Sequence, residues 1–248
     1  MMRSSNPTLQ ENTFADLRSK GADHAMTVSG TVGKSIVLLL LLLLTSGWTW
    51  MRFVNSGGNP ESVTTMIWVG ALGGFGVAIV TIFKKEWAAF TAPAYALLEG
   101  LFVGGLSSMM ELQFPGIVIQ AAMLTFGTLG AMLLAYQAGL VRATEKFKLG
   151  LFAATGGIAI VYFISIVLSF FGISVPFIFG SGLTGILFSL FVVVIAALNL
   201  VIDFDFIEKG AQYRVPKYME WYGAFALMVT LIWLYIEFLR LLAKVRSR

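Results

Sequence analysis

The chain has 248 residues, of which 58% are apolar and only 12% are Asp, Glu, Lys or Arg, about half the roughly 25% charged share of an average soluble domain. With a mean hydropathy of +0.85, too few polar residues remain to coat a globule of this size, so a water-soluble fold is excluded. Cysteine is absent and the single histidine, His24, lies in a polar leader, which removes disulfides, thiolate chemistry, sulfur-ligated metals and histidine-dependent triads. The net charge of +4 at pH 7 reads as a membrane-orientation signal. No loop concentrates enough Lys and Arg to follow a phosphate backbone, so no nucleic-acid partner is expected.

Residues 1–33 are polar without a sustained period and read as a cytosolic tail. They are no signal peptide, because the first apolar run sits too far in and leads into Thr45-Ser46-Gly47-Trp48 rather than a small-x-small cleavage site. From there, residues 34–248 read as one transmembrane domain. Apolar stretches near 32–54, 66–83, 88–110, 115–138, 149–171, 177–202 and 218–242 each approach or exceed the ~18–20 residues that a helix needs to cross hydrocarbon. The runs are continuous rather than alternating, and lipid leaves an open sheet edge unsatisfied, so strands are excluded. The fold class is therefore all-α, a polytopic bundle of seven transmembrane helices.

The connections at 55–60, 84–86, 113–115, 142–148, 172–176 and 208–216 are short and carry Gly, Pro or charge. Of the 17 basic residues, all but Arg52, Arg240, Lys244, Arg246 and Arg248 fall on, or one residue beyond, the tail or the second, fourth and sixth loops. The bias puts the N-terminus in the cytosol. An odd span count then leaves the last four basic residues outside, unless the final segment re-enters without crossing. Small residues four apart, Gly70 and Gly74, Gly100 and Gly104, and more weakly Gly127 and Ala131, read as close helix packing rather than gating.

Ionisable side chains in a span cost about 2.5–3.5 kcal/mol each on insertion scales and call for an explanation first. Five acids qualify: Glu99 in the third span, Asp203 and Asp205 ending the sixth, and Glu220 and Glu237 near the two ends of the seventh. Glu99 lies near mid-membrane with no basic residue one turn away, and is either a carboxyl bonded to a neighbouring backbone or hydroxyl group or a lining residue of an ion path. Asp203 and Asp205 differ in direction by roughly 200° on a helix, so one points inward and one outward, with Lys209 or Arg214 within reach of the outer acid. Glu220 has Lys217 three residues before it and Glu237 has Arg240 three residues after it, so each has a local surface pair available. Glu220 also enters the bilayer across a short hairpin from Asp203 and Asp205, and can meet either of them.

These residues carry a resemblance. Phe188-Ser-Leu-Phe191, Ala196-Ala-Leu-Asn199, Ile202-Asp-Phe-Asp-Phe-Ile207 and Leu234-Tyr-Ile-Glu-Phe-Leu-Arg-Leu-Leu242 resemble the last two spans of the Bax inhibitor-1 family, the transmembrane Bax inhibitor motif proteins. Glu99-Gly-Leu-Phe-Val-Gly104 is similar to that family's third-span segment, and Glu220-Trp-Tyr222 to its bacterial branch. The resemblance implies a seven-helix bundle with the last helix central, acting as a pH-sensitive calcium leak channel; the short loops and lack of organelle signals point to a bacterial inner membrane. It implies a sensor made of two acids, the first at Asp203. The second falls on Glu237 by the Leu-Tyr-Ile-Glu-Phe motif, while Tyr218-Met-Glu220-Trp fits the pattern nearly as well.

Two carboxyls within hydrogen-bond reach and short of water share a proton and titrate as a coupled pair. In this reading Asp203, Glu237, Glu220 and Asp205 form the sensor and gate, Glu99 lines the ion path, and calcium, a hard cation that prefers oxygen ligands, rests transiently at Asp203 and Glu237. The partners are the lipid bilayer and Ca2+ or other cations. No catalytic residue and no cofactor is expected: there is no cofactor fingerprint and no Gly-x-Gly-Asp segment of an intramembrane aspartyl protease. The alternative reading is a non-conducting membrane stress protein that acts through other membrane proteins.

Overall fold

The computed structural model describes residues 25–172, 178 and 180–247. His24 and the first two dozen residues of the expected tail lie outside the described residues. Seven helices are long and apolar enough to cross a bilayer: α1 (Val28–Asn55), α2 (Glu61–Phe83), α3 (Ala88–Gln113, entered through a 3-10 turn at Lys85–Trp87), α4 (Ile117–Gln137), α5 (Glu145–Phe170), α6 (Leu183–Gln212) and α7 (Met219–Arg246). The only β pairing among the described residues is an isolated antiparallel bridge between Ala25 and Pro216.

Helix ends follow local chemistry more than hydropathy. Thr27 caps α1 by accepting from the Gly30 amide at 3.0 Å, so the helix begins before the apolar run does. Asn59 and Pro60 start α2 at Glu61, with the Glu61 amide donating to Asn59 Oδ1 at 3.0 Å. Thr144 starts α5 by accepting from Phe147 N. Gly139 and Gly172, both with φ in the left-handed region, stop α4 and α5.

The largest departure from the sequence expectation is α6, which runs ten residues past the expected end at 202 and absorbs Asp203, Asp205, Glu208 and Lys209. Glu208 and Lys209 are good helix formers, the two weaker aspartates are tolerated in a continuing helix, and nothing before the positive φ of Arg214 breaks the turn. Gly210 lies within the helix with the Met26 side chain packed against it, where an added Cβ would come within 2.7 Å of the Met26 sulfur.

Hydroxyls in the spans are satisfied by their own helices. Thr31, Ser35, Thr49, Thr81, Thr125 and Ser165 each donate to the carbonyl four residues earlier, at 2.7–3.0 Å. Large apolar side chains such as Leu44, Phe90, Phe152 and Phe170 stand outward, as a bilayer requires.

The chain divides into two compact units, with the division falling inside α6 and α7. Unit one comprises residues up to Leu112 with Asp203–Val229, and unit two comprises Gln113–Ile202 with Thr230–Arg248.

In unit one, α3 packs through glycine. A Cβ on Gly100 would run into Thr45 and the Leu42 carbonyl of α1, and one on Gly104 into the Ser46 backbone. On the other side, a Cβ on Gly70 of α2 would lie 2.6 Å from both Leu98 O and Phe102 N of α3. The Gly127–Ala131 pair does not follow this rule, since a methyl on Gly127 meets nothing within 4 Å. In unit two, Leu151 and Ile158 of α5 pack with Val192 and Ile195 of α6, flanked by Trp233 of α7.

Backbone contacts this close leave no room to relax, so Gly104→Ala is expected to destabilise the protein by about 1–3 kcal/mol, the usual cost of overpacking. Gly127→Ala is expected to be neutral or mildly stabilising, because helix propensity favours Ala. Thermal melts of the purified protein in lipid nanodiscs compare the two, and equal melting temperatures would refute the packing account.

Candidate functional site

The five acids separate into distinct environments. Glu220, 1% exposed in the first turn of α7, meets the N-terminus of α1. Its Oε1 accepts from both the amide and the hydroxyl of Thr27, each at 3.0 Å, and its Oε2 is paired with the Lys34 ammonium. Gly30 makes room for the carboxylate, since a Cβ there would collide with it. A carboxylate at a helix N-terminus also faces the positive end of the helix dipole. Lys34 in turn sits 5.5 Å from the Trp221 ring centroid. The expected local partner Lys217 is exposed and is replaced by Lys34. Periodicity along one helix cannot reveal this, because the pair is separated by 186 residues.

This contact closes a strap. Met26 donates its amide to Val215 O at 2.8 Å, and its side chain is buried in a cluster with Ile207, Val215 and Met219. Ala25–Thr27 is thereby held against the α6–α7 connection by backbone pairing, apolar packing and the Glu220 carboxylate together.

Glu237, also 1% exposed, belongs to unit two. Its two oxygens lie 3.0 and 3.1 Å from the Tyr162 hydroxyl of α5. Arg240 Nη1 donates to Glu237 Oε1 at 2.8 Å and to the Tyr162 oxygen, and the guanidinium lies 4.8 Å from the Tyr162 ring centroid. The i,i+3 pair with Arg240 is present, but it is no surface pair, because its acid is fully enclosed. Nothing in the sequence marks Tyr162, since a tyrosine in an apolar span looks like ordinary packing until its hydroxyl finds an acid.

Asp205 pairs with Lys209 at 3.0 Å, one helical turn on. Asp203 is half-buried with its Oδ2 turned away from the surface. It falls in unit one, whereas Glu237 falls in unit two. Glu99 is half-buried in α3 and lies over Gly74 of α2, where an added Cβ would stand 2.7 Å from Oε1. The second Gly of the Gly70–Gly74 pair is thus a seat for a carboxyl, in addition to a packing position. Among the described residues, no three His, Cys, Asp or Glu side chains converge where a metal ion would sit.

The sequence reading also passed over Lys244. It placed this residue with the terminal basic cluster, whereas the structure buries it to 5% exposure and surrounds its ammonium with oxygen from α6 and the segment before it.

Seven apolar helices, with charged side chains enclosed by partners from neighbouring helices, define an integral membrane protein with a polar interior. The sequence profile of the family described as Bax inhibitor 1 like matches residues 6–247, nearly the whole chain, and the protein belongs to that family. No curated protein and no solved structure matches the chain.

Replacing Glu220 by Gln removes the charge that holds Thr27 and Lys34. The expected loss is about 1–3 kcal/mol, toward the lower end because Lys34 keeps some contact with solvent. Hydrogen exchange at the Met26 amide is expected to accelerate by about tenfold or more, and Lys217→Ala is expected to leave it unchanged. Equal protection in Glu220→Gln and the parent protein would show that the strap does not depend on this carboxylate.

Proposed function

We propose that this protein is a pH-sensitive cation leak, with calcium among the ions it passes, in which span carboxylates act as the proton acceptors that set the leak. The reading places it in a bacterial inner membrane with its N-terminus in the cytosol, in line with the distribution of basic residues. Membership of the Bax inhibitor 1-like family supports it at the coarse level. The observation that carries it is the enclosure of Glu237 in the last span, where the Arg240 cation, the Tyr162 hydroxyl and the Trp233 side chain meet its carboxylate.

Charge arithmetic along α7 supplies the mechanism. With Glu237 ionised, its charge offsets that of Arg240, and Lys244 stands one turn further on. A proton on Glu237 weakens its bond with Arg240 and leaves two cations one turn apart with no acid between them. Like charges at that spacing repel, and the repulsion is larger where water is scarce. Protonation therefore biases the packing of α5, α6 and α7 toward a different arrangement. Glu220 follows the same logic against Lys34, and Asp203, as the half-buried acid of α6, is the third proton acceptor in this reading. Glu99, seated on Gly74, offers a carboxyl oxygen to a passing cation, and Ca2+ enters as cargo rather than as a resident ion.

The test is calcium flux into proteoliposomes between about pH 5 and pH 8, the range in which a carboxyl coupled to a neighbour can titrate. The parent protein is expected to change its flux across this range. Glu237→Gln, which mimics the protonated state, is expected to flatten the profile near the level the parent reaches at low pH, and Asp203→Asn and Glu220→Gln to shift it. Flux that is indifferent to pH in the parent would overturn the gating. An electrically silent protein that is recovered bound to a specific membrane protein would replace the leak with a non-conducting regulatory role.

A further inference from the structure

Lys244 poses a separate question, because its surroundings are those of a cation site. Its ammonium donates to the Ile178 carbonyl, to the Gly185 carbonyl at 3.0 Å and to Ser189 Oγ at 2.7 Å. An ammonium has three N–H donors, and three oxygens meet them. Among the described residues Lys244 makes no ion pair: the acid on its own helix face, Glu237, lies two turns back and is held by Arg240 and Tyr162. A buried charge answered only by neutral oxygens is unusual, since such charges are ordinarily paired with an opposite one. Carbonyl and hydroxyl oxygens converging on a point are, in contrast, how proteins replace the hydration shell of an alkali ion.

We propose that the Ile178 and Gly185 carbonyl oxygens and Ser189 Oγ form a monovalent-cation site, with the Lys244 ammonium as its tethered occupant. The ligand class follows from the donor set. Calcium favours carboxylates, and among the described residues no carboxylate is bonded here, whereas potassium and ammonium ions are accommodated by neutral oxygens. The side chain of α7 thus carries its own cation into a place that a free ion would otherwise take, and it locks the Ile178 carbonyl and the first turns of α6 to the end of α7. The site does not depend on whether the protein conducts.

The experiment is chemical rescue in the full-length protein. Lys244→Ala vacates the site, and its melting temperature is measured in nanodiscs in potassium, methylammonium, sodium and choline chloride at equal ionic strength. The variant is expected to melt several degrees higher in potassium or methylammonium than in choline, which is too large to enter, while the parent melts alike in all four salts. The double variant Lys244→Ala with Ser189→Ala is expected to lose most of the rescue. Equal melting of Lys244→Ala in every salt, or the same salt dependence in the parent, would overturn the proposal. If Lys244→Ala yields no folded protein in choline, preparation in potassium or methylammonium throughout is expected to recover it, and failure in every salt would also count against the site.

Discussion

A chain that crosses hydrocarbon finds no water for its polar atoms, and each one must be closed by another part of the same molecule. That constraint organises this structure at three scales. Hydroxyls bond back to their own helix, as in Thr49 to Thr45 O. Glycines let α3 approach α1 and α2 backbone to backbone, where packing must replace the hydrophobic drive that lipid does not supply. Charged groups recruit partners from other helices, as Glu220 does from α1 and Glu237 from α5. The apolar surface is what places the helices in a membrane, whereas the polar closures determine which helix faces meet.

The sequence made the spans legible because hydropathy measures what lipid tolerates, and each of the seven helices falls on one of the stretches it marks. Their ends were less legible. A helix continues past the hydrocarbon until a cap stops it, so Thr27, Asn59 and Thr144 set starts that an apolar window cannot see, and α6 carries Asp203 and Asp205 onward to Gln212. The acids themselves stood out, since charge in an apolar run is rare by its cost. Their partners did not. Lys34 and Tyr162 are far away in sequence, and nothing in the local pattern ties Lys34 to Glu220 or Tyr162 to Glu237. Only Arg240 and Lys209, each one turn from its acid, are visible from spacing. Lys244 was hidden for a related reason: a lysine near a helix end reads as a snorkelling surface residue, and its burial depends on carbonyls that every sequence contains.

The two enclosed acids of α7 differ in what a proton would do to them. At Glu220 the carboxylate receives two donors from Thr27 and one from Lys34, and it also faces a helix N-terminus, so neutralising it removes a favourable interaction with several partners at once. The strap at Ala25–Thr27 keeps its bridge to Val215 and the buried Met26 even then, because these do not involve charge. Glu220 therefore tightens a contact that other forces also hold.

Glu237 has no such reserve. Among the described residues it is the only acid bonded to Arg240, and the next basic residue along that face, Lys244, is met there by neutral oxygens alone. Removing its charge leaves the half-buried guanidinium with the neutral Tyr162, which already shares its oxygen with Arg240. The imbalance falls on a helix face and not on a loop, so it is relieved by moving helices or by admitting water or an ion. In the proposed leak, this carboxylate, more than the tightly backed Glu220, is therefore the position where a proton would bear most directly on helix packing.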